Sequence, residues 1–455
     1  MSDSRCDFIV ARKSRRCRLR PLSGSRYCGE HVVLLPAGNG ESSHDRITCP
    51  LDSTHTCSSA LLEKHLKKCN AKKKEAQEFF IKDINSGTPS LSSGSCLPGK
   101  IQLKNVSDER LWEIIRKVDE IYSGHVALPE KYAGLHRAFV TELEKLTGCA
   151  VAEKHLLQKA ALLSLAESWG LLTGDSCFVE FGAGRGRLSY WLARILAKED
   201  CRFLLVDKAA SRHKFENKVK NDLAKFPEIQ RLQIDIRHLY LGNVKLLQDH
   251  SKKLIGLCKH LCGEATDFAL RCIMETTGQP RNADSNDLLS IHGVLMATCC
   301  HHRCYWDSFV GRPLLEEWGV ARQDFDLLTA MAGWATCAAR APQAGAHQEY
   351  PEALSNPGAV NRYLCMGLSV ERRAEVGRRC KLLLDSARAK YLSARRLTSR
   401  LVYFITPDVT PENVAIVATV PDVVAQMRMS SATFQLSDTP KEENLCSERQ
   451  LELDS

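Results

Sequence analysis

Residues 177–197 read CFVEFGAGRGRLSYWLARILA, and this stretch decides the fold. The apolar run Cys177–Phe181 predicts a buried strand, and the periodic run Arg187–Ala197 predicts a helix. The loop between them, GAGRG at 182–186, lets the backbone approach a ligand closely because glycine has no Cβ atom. A strand, a glycine loop and a helix in this order predict a cofactor site at the carboxyl edge of an α/β sheet.

Acidic residues accompany each of the first three predicted strands. Glu180 ends the first strand, Asp207 follows Phe203–Val206, and Asp235 lies in Leu232–Ile236. The second acid suits the ribose hydroxyls of a nucleoside cofactor, and the third suits an adenine amino group. With G-x-G-x-G spacing, the pattern is typical of Rossmann-like, class I S-adenosylmethionine methyltransferases; a scaffold that binds no nucleotide is the alternative. The predicted cofactor-binding residues are Glu180, Gly182, Gly184, Gly186, Asp207 and Asp235.

Composition restricts the class of protein. The chain has 455 residues, of which 44% are hydrophobic and 26% charged, and its net charge is +9, so we expect a globular protein. The N-terminus has no apolar signal-peptide region, and no run of about 18 apolar residues predicts a membrane span. The 20 cysteines are too sparse for a disulfide scaffold. We therefore expect a reducing compartment, nuclear or cytoplasmic, in which clustered cysteines bind metal.

Six cysteines lie within the first 70 residues, in two groups with the spacing of small zinc sites. The predicted ligands are Cys6, Cys17, Cys28 and His31 in the first group, and Cys49, His55, His65 and Cys69 in the second. Each group supplies the four ligands of a tetrahedral ion, and segments this short need metal to fold. We therefore expect two structural zinc ions, with unligated side chains in a basic tail as the alternative. The arginines around the first group suit phosphate contacts.

Two further predicted strands end in polar sequences. Ile255–Cys258 leads into KHLCG at 259–263, and Ile291–Thr298 leads into CCHHRC at 299–304. Substrate reaches the same sheet edge, so these side chains are catalytic candidates. A lysine or histidine there could activate a weakly acidic ribose hydroxyl. The predicted catalytic residues are Lys259, His260, Lys154 and His301.

The CCHHRC sequence leaves alternatives open. Cys299, Cys300 and Cys304 could bind a third metal ion, although these ligands crowd together. Cys299 or Cys300 could instead be the nucleophile of an RNA base methyltransferase. The Pro-Cys that cytosine-C5 enzymes carry after strand four is missing, as is the Asn/Asp-Pro-Pro-aromatic motif of amino-group methylation. His301 could equally be a structural histidine.

Composition also divides the chain into regions. Helices are predicted over Ser58–Asn85 and, with arginines facing solvent or RNA, over 371–400. A closing strand pair is predicted at Leu401–Ile405 and Val414–Val420. The stretch 86–99 is rich in Ser, Gly and Pro and predicts a flexible linker. The predicted regions are zinc fingers at 1–35 and 45–72, a basic helix and linker at 73–104, a helical segment at 105–150, the methyltransferase domain at 151–425 and a disordered acidic tail at 426–455.

The two fingers and three motifs resemble the eukaryotic tRNA methyltransferase 13 family over most of residues 1–420. The motifs are EFGAGRGRLS at 180–189, KHLCGEATDFAL at 259–270 and ATCCHHRCYW at 297–306. The resemblance implies S-adenosylmethionine-dependent 2′-O-methylation of the ribose at nucleotide 4 in the acceptor stem of some tRNAs, so tRNA is the expected partner. No feature of the sequence requires an obligate protein partner. The alternatives are a zinc-finger RNA-binding adaptor with an inactive cofactor fold and an RNA base methyltransferase.

Overall fold

The computed structural model divides the chain into two compact units, Met1–Gln77 and Glu78–Ser455. It describes residues 5–10, 15–17, 19–21, 24–28, 31, 46–69, 77–88, 101–146, 150–211, 214–222, 227–248, 253–276, 290–337 and 362–423. The predicted acidic tail and most of the predicted linker lie outside these residues. Among the described helices, none is both long enough and apolar enough to cross a membrane.

In its described residues, the first unit has two small antiparallel hairpins and one α-helix. Its elements are β1 (Ile9–Val10), β2 (Arg15–Arg16), β3 (Arg46–Cys49), β4 (Asp52–Ser58) and α1 (Leu62–Lys68). Strand β1 pairs with β2, and β3 pairs with β4. The predicted ligand Cys17 directly follows β2, and Cys49 ends β3, so each hairpin lies beside a ligand of one predicted zinc finger.

The helix predicted over Ser58–Asn85 is wrong in its second half. Helix α1 ends at Lys68, where the next residue adopts an extended conformation. Residues 78–88 belong to the second unit and form turns rather than a helix. The buried Asn85 side chain donates to the carbonyl oxygens of Ile236 and Leu239, both at 2.7 Å. These tertiary hydrogen bonds hold Asn85 in a turn, whereas residues 70–76 of the predicted helix lie outside the described part of the chain.

The second unit is built on an eight-stranded mixed sheet. Its strands are β5 (Glu130–Lys131), β6 (Ser176–Phe181), β7 (Cys201–Asp207), β8 (Glu228–Gln233), β9 (Lys253–Cys262), β10 (Ser290–Cys299), β11 (Thr398–Tyr403) and β12 (Val414–Thr419). The strand order is β5-β11-β12-β10-β9-β6-β7-β8. Strands β6 to β10 are parallel to their neighbours within that group, and β12 is antiparallel to both β10 and β11. The predicted Rossmann-like fold is confirmed.

The position of β6 explains where a ligand can bind. Strand β7 lies on one side of β6 and β9 on the other, so the chain reverses its direction of travel across the sheet at this point. The loops after β6 and β9 leave in opposite directions and open a crevice at the carboxyl edge, which is where open α/β sheets bind ligands. The glycine loop directly follows β6 and therefore borders this crevice.

Helices cover both faces of the sheet. They are α2 (Asp108–His125), α3 (Val140–Glu144), α4 (Ala150–Ser168), α5 (Arg187–Ile195), α6 (Glu216–Asp222), α7 (Lys245–Gln248), α8 (Glu264–Thr276), α9 (Arg312–Glu317), α10 (Arg322–Ala332), α11 (Trp334–Cys337), α12 (Arg362–Cys365) and α13 (Val370–Ser393). Along β6, Val179 and Phe181 belong to one apolar core and Phe178 to the other. This alternation follows from the period of two in a strand.

Several predicted boundaries shift. Strand β8 starts four residues before the predicted strand and ends before Asp235, which therefore lies in the following loop. Strand β9 extends past Lys259 and His260, because its parallel pairing with β10 continues to the pair Cys262 and Cys299. The basic helix predicted over 371–400 ends at Ser393, and β11 begins before its predicted start.

Helix α2 is part of the second unit rather than a separate helical segment at 105–150. Its apolar side chains share a third core with α10 and α13. The α13 side chains Arg372 and Arg379 both bond to Asp119 of α2, Arg379 Nη1 at 2.6 Å. The expectation that the α13 arginines face solvent or RNA is therefore wrong for these two, because an acidic residue on α2 faces them.

Candidate active site and zinc fingers

The glycine loop has the backbone conformation that only glycine adopts easily. Gly182, Gly184 and Gly186 have φ angles of +67°, +51° and +75°. A Cβ atom on Gly182 would lie 2.8 Å from Leu261 Cδ1, and one on Gly186 would lie 2.7 Å from Leu205 Cδ2. A Cβ on Gly184 would meet no atom of the described residues within 4 Å. Two of the glycines are thus needed for packing, whereas Gly184 borders open space that a cofactor can fill.

Asp207 and Glu180 fix this loop from two sides. Gly184 N donates to Asp207 Oδ2 at 2.7 Å, so the acid at the end of β7 touches the open part of the loop. Ser189 donates to Glu180 Oε2 from its backbone N at 3.0 Å and from Oγ at 2.5 Å. Burial raises the pKa of Glu180 to about 7, although these bonds oppose the rise. Glu180 therefore caps the first turn of α5, whereas Asp207 is the acid that contacts the loop at Gly184, beside the open space.

Asp235 lies in the loop after β8. Its Oδ1 accepts from Arg237 N at 3.0 Å, and its Oδ2 accepts from Lys208 Nζ at 2.8 Å. Burial opposes ionisation of Asp235, but these donors outweigh it and hold the pKa of the carboxyl below its ordinary value. The carboxylate is thus charged and partly exposed at the same sheet edge as Asp207.

Four basic side chains form a basic cluster beside the glycine loop: His155, Lys159, Arg187 and Lys259. Burial, with the charges of Lys259 and Arg187, lowers the pKa of Lys159 to about 7. Burial likewise lowers the pKa of Lys259 to about 8; Arg187 lowers it further, while Cys299 opposes the shift. Burial and the three neighbouring cations also lower the pKa of His155. Two amines of the cluster, Lys159 and Lys259, thus have pKa values lowered towards neutrality by burial.

Lys154 is among the catalytic residues predicted from the sequence, whereas Lys159 is not. Lys154 lies in the first part of α4 and is exposed, whereas Lys159, little more than one turn later, is buried with Nζ bonded to the His155 carbonyl oxygen. Lysine in an apolar helix stretch is the signal that could have identified it. His260 is the unpaired residue of a bulge in β9, with φ +65°, and its Nε2 lies 3.3 Å from Gln158 Oε1. Desolvation by the surrounding protein is the larger cause, and the charge of Lys259 the next, that lowers the pKa of His260 to about 4.

His301 lies in the core rather than at the open edge. It is 2% exposed, and its Nε2 lies 2.8 Å from Asp385 Oδ2. The guanidinium of Arg388, fully buried, bonds to Asp267 at 2.6 and 3.1 Å and to Asp385 Oδ1 at 3.1 Å. We call Asp267, His301, Asp385 and Arg388 the buried charge network. Its position gives His301 a structural role in place of the catalytic one predicted from the sequence, because a core side chain cannot reach a substrate.

Three cysteines, Cys262, Cys299 and Cys300, form a cysteine trio at the ends of β9 and β10. Their Sγ atoms all lie within 4.8 Å of one another, and those of Cys262 and Cys299 are 3.5 Å apart. Cys304 is not in this group: it is buried and accepts from Arg388 Nη2 at 3.0 Å. The predicted combination of Cys299, Cys300 and Cys304 is therefore wrong in one member, which Cys262 replaces.

The first zinc finger brings its four predicted ligands together. Ligand atoms of Cys6, Cys17, Cys28 and His31 lie within 4.8 Å of one another. His31 Nδ1 is 3.5 Å from Cys6 Sγ and 3.3 Å from Cys28 Sγ. Burial disfavours the thiolate form of Cys6, but hydrogen bonds involving Cys28, Phe8 and Cys17 outweigh burial and lower the pKa of Cys6. Three thiols and one imidazole at this spacing fit one tetrahedral zinc ion.

The second finger brings together three of its four predicted ligands within the described part. Cys49, His65 and Cys69 have ligand atoms within 4.8 Å of one another. Cys49 Sγ is 3.7 Å from Cys69 Sγ and 3.2 Å from His65 Nε2. His55 lies on β4, and its side chain falls outside the described part of the structure. The donor set fits zinc.

Three family models match the chain. The one described as "Methyltransferase TRM13" matches residues 157–419, which is more than half of the 455 residues. This chain belongs to the TRM13 methyltransferase family. The other two models are the "CCCH zinc finger in TRM13 protein" at 4–32 and the "U11-48K-like CHHC zinc finger" at 46–70. They confirm both predicted fingers, and the first model confirms the predicted family.

Relatives in the TRM13 family resemble the chain almost end to end. The "tRNA:m(4)X modification enzyme TRM13 homolog" of Mus musculus is 33% identical, covering 91% of this chain and 94% of that protein. The Homo sapiens homolog is also 33% identical, covering 92% and 95%. The "tRNA:m(4)X modification enzyme TRM13" of Schizosaccharomyces pombe is 32% identical, covering 82% and 95%. The chain thus carries matches to two zinc fingers and to the TRM13 methyltransferase domain.

Proposed function

We propose that this TRM13 enzyme transfers a methyl group from S-adenosylmethionine to the ribose 2′-hydroxyl of nucleotide 4 in the acceptor stem of tRNA. The name of its relatives, tRNA:m(4)X modification enzyme, supports tRNA as the substrate. One observation carries the choice of a hydroxyl. Lys259, an amine with a lowered pKa, lies in the basic cluster beside the glycine loop.

The residues around Gly184 fit S-adenosylmethionine. Open space borders Gly184, and the side chains of Asp207 and Asp235 lie at the neighbouring strand ends, where they would hold the ribose hydroxyls and the adenine amino group. When bound, the cofactor supplies an electrophilic methyl group on a positively charged sulfur. The protein's task is therefore to position a hydroxyl oxygen in line with that methyl group.

The basic cluster suits the substrate side of this reaction. A duplex acceptor stem displays its 2′-hydroxyls in a wide, shallow minor groove, flanked by phosphates. Arg187 and the charged fraction of His155 would contact phosphate oxygens. Lys259 Nζ, in its neutral form, would accept the proton that the 2′-hydroxyl loses on attack. Lys159 Nζ is bonded to a backbone carbonyl and buried, so Lys259 is the better placed of the two lysines.

Alkaline hydrolysis distinguishes ribose from base methylation. The full-length, zinc-loaded protein is incubated with methyl-labelled S-adenosylmethionine and tRNA, and the RNA is then hydrolysed in alkali. A 2′-O-methyl group blocks cleavage at its own nucleotide, so we expect the label in one resistant dinucleotide that starts at nucleotide 4. A matched tRNA with a 2′-deoxyribose at that nucleotide should accept no label.

Two results would contradict the proposal. Label found only in mononucleotides would mean base methylation. No label, with tRNA binding intact and no measurable affinity for the cofactor, would mean an RNA-binding adaptor with an inactive fold. A Gly184→Asp variant is the negative control, because its side chain would fill the open space beside the loop.

A further inference from the structure

The cysteine trio of Cys262, Cys299 and Cys300 lies outside both zinc fingers. Cys262 ends β9 and Cys299 ends β10, and the two residues are partners across these parallel strands. Their Sγ atoms are 3.5 Å apart, and Cys300 completes a group within 4.8 Å. A zinc ion about 2.3 Å from each of two thiolates places the sulfurs about 3.8 Å apart. The trio therefore has the spacing of ligands around one small ion.

The backbone is bent to bring two successive cysteines to one point. Along a strand, successive side chains point to opposite faces, so Cys299 and Cys300 would diverge if β10 continued. Cys300 instead adopts a left-handed conformation, with φ +45° and ψ +42°. A non-glycine residue in this conformation is strained, and such strain concentrates at ligand sites. The strain is what allows both thiols to join the trio.

The two loops that carry the trio are packed tightly against each other. A Cβ atom on Gly263 would lie 2.5 Å from Arg303 Cβ and 2.6 Å from its carbonyl carbon, so only glycine fits beside this loop. Arg388 Nη2 also reaches both loops, with Gly263 O at 3.4 Å and Cys304 Sγ at 3.0 Å. The trio is thus held in place by the packing of these two loops and by Arg388.

We propose that Cys262, Cys299 and Cys300 bind a third zinc ion, in addition to those of the two fingers. Three thiolates leave one position of a tetrahedral ion for a ligand from outside the trio. Arg303 and Lys259 lie next to these thiols and offset the negative charge of a tristhiolate site. The ion would join the ends of β9 and β10 beside Lys259.

Metal content tests the site directly. The full-length protein is expressed with added zinc and purified under reducing conditions, and zinc per chain is measured by mass spectrometry. Cys262→Ser and Cys300→Ser should each hold one zinc ion fewer per chain than the wild type. Cys304→Ser is the matched control, because it removes a thiol of the same loop but outside the trio, and it should keep the full content. If Cys262→Ser and Cys300→Ser both fold and keep the full zinc content, the proposal is wrong.

A second measurement covers variants that fold poorly. In the wild-type protein, thiols that bind zinc resist alkylation until a chelator is added, whereas the exposed Cys365 reacts at once. We expect the trio to be protected before chelation and modified after it. Two results would overturn the proposal: rapid modification of Cys262 and Cys300 before chelation, or a disulfide between Cys262 and Cys299 that persists in protein purified under reducing conditions. Neither readout depends on methyl transfer, so a failure here is distinct from a failure of the proposed function.

Discussion

Removing one carboxylate from the buried charge network should destabilise the second unit strongly. Arg388 and Asp267 are both fully buried and share two hydrogen bonds, at 2.6 and 3.1 Å. Asp267→Asn keeps the shape but removes the charge, so the guanidinium is left with Asp385 alone. Breaking a buried pair by removing one partner costs about 3–5 kcal/mol, because the other charge stays buried. We expect the free energy of unfolding to fall by about 3 kcal/mol, since the amide retains a weaker hydrogen bond.

Urea unfolding followed by tryptophan fluorescence measures this loss. The matched control is Glu228→Gln, which breaks the pair with Arg202 at 3.1 Å, where the glutamate side chain is 59% exposed. An exposed pair contributes at most about 1 kcal/mol, so this variant should unfold almost as the wild type does. Arg388→Met should cost more than Asp267→Asn, because it leaves two buried carboxylates without their shared cation. If Asp267→Asn and Glu228→Gln lost the same small amount, the argument that the network is held together by compensating charge would be refuted.

Three further predictions concern binding and catalysis. Gly184→Ala should weaken S-adenosylmethionine binding, as measured by calorimetry. The control is Gly319→Ala, because Gly319 also has a positive φ and open space around it. This control variant should carry similar backbone strain and bind S-adenosylmethionine normally. Lys259 must be neutral to accept a proton, so kcat/KM should rise with pH up to about 8 and then level off. Lys259→Arg should remove this rise of kcat/KM with pH. The control Lys253→Arg, on the same strand, should keep it. Chelation of the finger zinc should lower tRNA affinity in filter binding much more than cofactor affinity; an equal loss of both would contradict separate roles for the two units.

The sequence could predict the strand, the glycine loop and the helix after it, because their signals are local. The glycine loop, Glu180 and Asp207 lie within short strand–loop segments, where burial and turn chemistry act on neighbouring residues. The strand bounds do not follow from local signals, since β9 continues to Cys262 only through its pairing with β10. That pairing joins residues far apart in the chain, and no local pattern encodes it.

The surroundings of Arg388, Lys159 and Cys262 could not be predicted from composition, because they depend on tertiary contacts. Arg388 lies in a helix rich in arginine, which predicts a solvated face, yet it is fully buried because Asp267 and Asp385 face it. Lys159 looks like an ordinary helix residue until the fold places it near Lys259. Cys262 belongs to a quoted motif, but its partners lie almost 40 residues later in the chain, with Cys299 at 3.5 Å. Each of these side chains acquires its chemistry from a residue on another element.

Strain and burial act together at the ends of β9 and β10. His260 on β9 and Cys300 directly after β10 both adopt left-handed conformations, at φ +65° and +45°. Such conformations persist only where the surroundings fix them. The buried charge network supplies that restraint: Arg388 Nη2 bonds to Gly263 O and to Cys304 Sγ, just beyond the two strained residues. A carboxylate lost from the core, at Asp267, should therefore loosen the edge that carries Lys259, and methyl transfer should fall even in conditions where the variant remains folded.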